Sequence, residues 1–263
     1  MNDWRTYDDV AETYERVHGG RFAEVARDLV TQAGIASGDR VLDVGTGTGV
    51  AGEVAIDTGA VATGIDESFG MLRVAHRDRP GLPVAAAEAI DLPFRDGSFD
   101  AVIGCFVLAH FTKYQTALFD IRRVMRPGAS LAVSSWADRA DTYQQTWRDL
   151  VEQVVPREML DPAYAEAAPW HDKFRSREAM EETLMDAGFR HVRTEPAKYR
   201  WTYSIDDYLA GVEVFATGRF VREMLGDTGW ASFRARARET FVERFPDPLH
   251  DTRDVILATA TKP

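Results

Sequence analysis

Val41-Leu42-Asp43-Val44-Gly45-Thr46-Gly47-Thr48-Gly49 turns from a short apolar run to alternating glycines without a spacer. The apolar half reads as a buried strand, and the glycines read as a tight turn into a helix. Glycine admits close backbone approach, and the first turn of the following helix offers free N–H groups. Strand, glycine turn and helix together form a cradle for a polar or anionic nucleotide group. Working outward, residues 21–32 place Phe22, Val25, Ala26, Leu29 and Val30 at helical spacing. Strands are predicted at 61–65, 83–86, 99–105 and 130–135. Ser68 caps a helix over 69–78, and another helix over 115–125 precedes the turn Arg126-Pro127-Gly128. Strands alternating with helices demand crossover connections and a parallel sheet.

A carboxylate, Asp66, stands at the end of the second strand, where it suits the hydroxyls of a ribose. Glycine turn and ribose carboxylate also describe a nicotinamide-dependent oxidoreductase, and Gly47-Thr48-Gly49-Val50-Ala51-Gly52 fits the spacing G-x-G-x-x-G. The register argues against that reading. In a dinucleotide site the first glycine directly follows the strand, here Gly45, and the third then falls at position 50, which is Val50.

With Asp43 inside the strand, Asp43-Val44-Gly45-Thr46-Gly47-Thr48-Gly49 resembles motif I of class I S-adenosylmethionine-dependent methyltransferases. Gly64-Ile65-Asp66-Glu67-Ser68 with Met71-Leu72 resembles the acidic second-strand motif and the apolar adenine contact after it. Glu88-Ala89-Ile90-Asp91-Leu92-Pro93-Phe94 is similar to the family's D-A-E-x-L-P-F segment, with Glu88 for Asp and Ile90 for Glu. Ser98 to Val102, Val107 to Phe111 and Arg126-Pro127-Gly128-Ala129 match segments around strands four and five. Tyr7-Asp8 with Ala11-Glu12-Thr13-Tyr14 resembles an N-terminal arm. The likeness is strongest to the small-molecule branch, which includes quinone and natural-product methyltransferases.

That resemblance implies a Rossmann-like, doubly wound α/β fold with a mostly parallel seven-stranded sheet and a helical cap after strand five. It implies S-adenosylmethionine held by Tyr14, Asp43, Gly45, Thr46, Gly47, Asp66, Glu67, Met71, Glu88, Ala89 and the backbone of Cys105. Glu88 would take the adenine amino group and the Ala89 amide the ring nitrogen. The expected organisation is a single domain with an arm at 1–35 and cap insertions at 137–175 and 204–250, where the strand–helix alternation lapses. The same fold also carries cofactor-binding cyclases and regulators that transfer no methyl.

Methyl transfer to a hydroxyl is helped by a general base, whereas an amine or enolate carbon needs none. His110, just past the fourth strand, is the expected base, with His171 beside Trp170 second. His18, His76, His191 and His250 lie in segments expected away from the cleft. Phe106, Trp136, Trp147, Trp170, Trp201, Tyr203 and Phe215 suggest a hydrophobic or aromatic acceptor pocket. The 263 residues carry 31 Lys+Arg against 42 Asp+Glu, a formal charge of −11, which disfavours nucleic-acid partners. A single cysteine excludes a disulfide framework, and no histidine or carboxylate pair has the spacing of a metal site. The polar N-terminus and the absence of a long apolar run predict a soluble, cytoplasmic monomer or homodimer without membrane contact.

Overall fold

The computed structural model describes residues 6–137 and 141–263. Residues 1–5 of the expected arm and 138–140 of the expected cap segment lie outside the described residues. Strands β1 (Arg40–Val44), β2 (Val61–Asp66), β3 (Val84–Ala86), β4 (Phe99–Gly104), β5 (Met125–Trp136), β6 (Arg190–Tyr203) and β7 (Leu249–Thr261) form one sheet. Their order is β3-β2-β1-β4-β5-β7-β6. The first five pair in parallel, while β7 runs antiparallel to both β5 and β6. Val41, Leu42 and Val44 are all buried, because helices cover both faces of β1 and leave no polar side. This is the Rossmann-like α/β architecture that the glycine loop and its flanks predict.

Helices α1 (Ala11–Tyr14) and α2 (Gly20–Gln32) flank a single π-helical turn at Glu15–Gly19. They are followed by α3 (Val50–Asp57), α4 (Phe69–Asp78) and α5 (Tyr114–Val124). Phe22, Val25, Ala26, Leu29 and Val30 form the buried stripe of α2 and join Ala51, Val54 and Ala55 of α3 against one sheet face. Leu118 and Ile121 of α5 fill the other face.

Between β5 and β6 lie α6 (Thr142–Glu152), α7 (Arg157–Ala167), α8 (His171–Phe174) and α9 (Arg177–Asp186). Between β6 and β7 lie α10 (Ile205–Glu213) and α11 (Ala216–Arg244), the latter broken at Gly226 by a left-handed φ of 62°. Both helical groups interrupt the strand–helix alternation where the sequence does. Trp147, Leu150, Tyr208, Phe233 and Phe241 from these helices share one core with α2 and α3.

Strand five differs from its predicted extent. It begins at Met125, ahead of the expected start at 130, and the residues read as a turn lie inside it. β4 pairs Phe99 with Met125 and then Ala101 with Ser130, so residues 126–129 are looped out of register. Gly128 supplies the positive φ of 82° that this bulge needs.

Candidate functional site

The strand order reverses between β1 and β4, and ligands of open α/β sheets bind at the carboxyl ends of strands flanking such a point. Two turns meet there, Gly45–Gly49 after β1 and Cys105–Val107 after β4. Gly45, Gly47 and Gly49 all have positive φ. At Gly45 a Cβ would fall 2.2 Å from Val107 Cγ2, so the close approach of the two turns excludes any larger residue. Nothing lies within 4 Å of a Cβ built on Gly47, so the loop is open on that side. The cleft beside it is lined by Tyr14, Phe22, Asp43, Gly45, Thr46, Gly47 and Cys105, among others, and its enclosed part is about 40 Å³.

Asp43 is fully buried at the base of this cleft. Its Oδ2 accepts from Thr46 Oγ1 at 2.6 Å and from the Gly52 amide at 2.8 Å. Its Oδ1 has no partner. Burial pushes the carboxyl from 3.8 up to about 6, against the lowering effect of the two hydrogen bonds. A buried carboxylate with a free oxygen suits a compact cation.

Asp66 lies half-buried where β2 ends. Its Oδ2 accepts from the Gly47 amide at 2.8 Å and its Oδ1 from the Ser68 amide at 2.9 Å. Each oxygen keeps a second lone pair, so the side chain braces the glycine turn and can still receive hydroxyl donors. Burial raises its carboxyl pKa. Glu67 and Glu88 are exposed beside it, and the Glu67 carboxyl is raised by burial first and by the charges of Asp66 and Glu88 second. Ala89 is half-buried in the same region. Met71 is 3% exposed, packed with Ala11 and Val74 beneath Tyr7 and Tyr14.

Asp8 and Arg79, to which the sequence gives no role, help fasten the N-terminal arm over this region, alongside Arg77, which pairs with Glu12. Asp8 Oδ1 accepts from Ser68 Oγ and from the Gly70 amide, each at 2.7 Å. Arg79 donates to Glu15 of the arm, to Glu53 of α3 and to the Thr48 carbonyl of the glycine turn. Only the fold brings these positions together with their partners.

Cys105 is half-buried and lines the cleft. Burial pushes its thiol up to about 12, so it stays protonated, and Ser134 Oγ donates to its sulfur at 3.5 Å. The next residue, Phe106, has φ 57°, a strained backbone for a side chain of this size. Its amide donates to Ser134 Oγ at 3.0 Å, and its ring stacks on Trp136 with centroids 4.0 Å apart.

Phe106 belongs to a group of aromatic rings drawn from four separate segments. Phe22 lies 5.1 Å from Phe106, and 5.9 Å from both Trp136 and Trp201. Of the aromatic side chains expected to form an acceptor pocket, Phe106, Trp136, Trp201 and Phe215 converge here. The others do not. Trp147 packs on Phe233 in the core, Trp170 on Tyr114 across the sheet, and Tyr203 lies beneath Arg21.

His110 lies in a 3₁₀ turn over Leu108–His110. Its Nδ1–H donates to the Ala167 carbonyl at 2.9 Å, which leaves Nε2 as an acceptor. The ring centroid is 6.1 Å from Tyr7, whose own ring lies 5.8 Å from Tyr14. Desolvation is the first cause of a lowered His110 pKa. His171 packs against Tyr164 at 5.2 Å, with its pKa also lowered by burial. His18 departs from expectation. The sequence reading put it away from the cleft, yet its ring is 5.3 Å from Tyr14 and stacks on Phe22 at 5.1 Å, both of them cleft-lining residues. Among the described residues no cluster of histidine, cysteine and carboxylate groups could hold a metal ion.

These residues fit S-adenosylmethionine. The free Asp43 oxygen and the open side of Gly47 suit an amino-acid tail, Asp66 suits a ribose, and the aromatic faces of Tyr14 and Phe22 suit a cation. Residues 42–133 match the family described as methyltransferase domain. A demethylmenaquinone methyltransferase of Renibacterium salmoninarum is 38% identical over 135 residues, covering 50% of this chain and 57% of that protein. One of Streptomyces avermitilis is 29% identical over 196 residues, covering 71% and 85%. The chain spans 57%, 62% and 44% of the length of three such relatives. The Haemonchus contortus phosphoethanolamine N-methyltransferase 2, solved with S-adenosyl-L-methionine, superposes with a TM-score of 0.60 at 16% identity, covering 100% of this chain and 60% of that one. Residues 42–133 thus resemble a methyltransferase domain, and the chain as a whole shares the Rossmann-like α/β fold of the structure it superposes on.

Proposed function

We propose that this protein transfers the methyl group of S-adenosylmethionine to an oxygen, nitrogen or carbon of a small aromatic or apolar metabolite. The observation that carries the reading is one juxtaposition. The glycine turn with its carboxylates opens, at the switch point of the sheet, onto Tyr14 and Phe22, and the Phe22 ring in turn meets Phe106 at 5.1 Å. The relatives named demethylmenaquinone methyltransferase support a quinol-like acceptor.

When bound, the cofactor supplies a methyl on a positively charged sulfur, and the protein's own share is binding, alignment and exclusion of water. Asp43, Thr46 and the Gly45 and Gly47 backbone would hold the amino-acid tail. Asp66 and Glu67 would hold the ribose, and Met71, Glu88 and Ala89 the adenine. Tyr14 closes the cleft from the arm. Its hydroxyl pKa is pushed well up by burial, so it remains a donor rather than a charged group. Cys105 keeps its proton and forms part of the wall. His110, whose Nε2 is left as an acceptor by the Nδ1–H bond to Ala167, would take the proton of a hydroxyl acceptor. The helices at 137–175 and 204–250 act as a cap over the acceptor, within a single domain whose arm spans 1–35. A cytoplasmic monomer or homodimer acting on a small molecule fits this reading. Among the described residues no helix is long and apolar enough to cross a membrane.

The test is incubation with S-adenosylmethionine and a panel of phenols, quinols and aromatic amines, followed by mass spectrometry. A product heavier by one methylene, with stoichiometric S-adenosylhomocysteine, is the expected outcome. Tight nicotinamide binding with no S-adenosylhomocysteine binding would overturn the reading.

A further inference from the structure

His18 is the one imidazole within the aromatic group beside the cleft, and its position follows from local geometry. Tyr14, His18 and Phe22 recur every four residues, so an ordinary helix would carry them on one side. The π-helical turn at Glu15–Gly19 holds them together through the junction of α1 and α2. The π-helix occurs mostly as such single turns within α-helices, frequently at functional sites. The ring lies between Phe22, stacked at 5.1 Å and 8°, and Phe215 at 5.0 Å. Gly211 makes room for it, since a Cβ there would sit 3.0 Å from His18 Cε1.

The two nitrogens have different fates. His18 Nε2–H donates to the Gly211 carbonyl at 3.2 Å, which makes Nδ1 a bare acceptor. That atom is buried and has no hydrogen-bond partner, in a side chain 4% exposed. The Gly211 carbonyl accounts for Nε2, whereas nothing in the fold meets the lone pair of Nδ1. An unsatisfied buried acceptor carries a desolvation cost that is relieved when a donor arrives. The rings around it divide by exposure. Tyr14, Phe106, Trp136 and Phe215 are half-buried, whereas Phe22, His18 and Trp201 are buried, and Tyr14 and Phe22 join the group to the cleft. Burial holds the imidazole down at about 4, so the acceptor lone pair persists at neutral pH.

Resting on the methyltransferase reading, we propose that His18 is a specificity-determining residue whose Nδ1 accepts a hydrogen bond from an O–H or N–H on the acceptor's aromatic ring. The acceptor class is therefore a flat aromatic compound carrying a donor on the edge that enters first. No proton changes hands at His18. It orients the ring, and His110 is left to serve the reacting group.

Isothermal calorimetry on the protein saturated with S-adenosylhomocysteine tests this with two probes, 1-naphthol and 1-methoxynaphthalene, alike in shape but only one a donor. The native protein should prefer the naphthol about five- to tenfold, the effect of one neutral hydrogen bond. His18→Phe should bring the two probes within twofold of each other by weakening the naphthol. His18→Asn, whose amide oxygen reaches near the Nδ1 position, should restore most of the preference. Unchanged S-adenosylhomocysteine affinity in both variants shows that the fold and cofactor cleft survive. Equal affinities in the native protein, a preference retained in His18→Phe, or no naphthol binding to the loaded protein would each overturn the proposal and leave the cofactor reading intact. Failure of S-adenosylhomocysteine to bind the native protein would instead remove the reading on which it rests.

Discussion

Asp66 and Asp43 show two uses of one residue type at the same cleft. Asp66 spends one lone pair of each oxygen on the Gly47 and Ser68 amides, so its removal disturbs the turn as well as any ribose contact. Hydrogen bonds to a charged acceptor contribute roughly 1.5–3 kcal/mol, so Asp66→Ala should weaken S-adenosylhomocysteine binding about 10- to 150-fold by calorimetry. Asp43 predicts a pH dependence. Its folded carboxyl sits at about 6 against an ordinary 3.8, so the folded chain binds the proton more tightly than the unfolded chain. This group's contribution to stability therefore declines as pH rises through that window. Ligand binding runs the opposite way, because an ammonium needs the ionised form. S-Adenosylhomocysteine affinity should rise about tenfold between pH 5 and pH 7, and Asp43→Asn should flatten that rise. Gly45→Ala meets both a φ of 66° and Val107 at 2.2 Å, so a melting temperature lowered by several degrees is expected, with partial recovery in Gly45→Ala/Val107→Ala.

At the scale of elements, Arg79 and Asp8 help hold the arm as part of the cleft wall, together with the Arg77–Glu12 pair and the packing of Ala11 on Met71. The Arg79 side chain is 9% exposed and bonds three elements at once, which distinguishes it from exposed ion pairs of little consequence. Arg79→Met keeps the aliphatic stem and removes the donors. It should speed amide exchange across residues 11–20 and weaken S-adenosylhomocysteine binding several-fold, because Tyr14 and Phe22 would no longer be held over the glycine turn. The junction of α10 and α11 makes a different contribution. Phe215 stands at the N-cap of α11 and reaches His18, so Phe215→Ala should alter the order of preference among aromatic acceptors while S-adenosylhomocysteine affinity stays within a few-fold.

For the whole molecule, binding is linked to folding. The glycine turn, the arm and the second strand each contribute part of the cofactor cleft and are adjacent only in the folded chain. A ligand at 100 times its dissociation constant stabilises the folded state by about 2.7 kcal/mol. At this chain size that corresponds to a melting temperature raised by roughly 5–10 °C. S-Adenosylmethionine and S-adenosylhomocysteine should produce such a rise in a thermal melt, and NADH and NADPH should produce none.

The sequence by itself determined the sheet, the glycine turn and the carboxylate of the second strand, because each is written in contiguous residues. Val41, Leu42 and Val44 are apolar, as a strand covered on both faces demands, glycine recurs at 45, 47 and 49, and Asp66 ends its strand. It also separated the parallel, alternating part of the chain from the helical segments that interrupt it. Which aromatic residues form the pocket was decided only by tertiary structure. Trp147, Trp170 and Tyr203 are indistinguishable by composition from Trp136, Trp201 and Phe215, and packing alone decides which of them join the rings around Phe22 and His18. The same holds for His18, Asp8, Arg79 and the strained Phe106. Their partners lie 193 residues away for His18 with Gly211, 60 for Asp8 with Ser68 and 64 for Arg79 with Glu15. Local pattern reports what a residue prefers among its chain neighbours. Contacts across such separations exist only once the sheet order has brought the segments together.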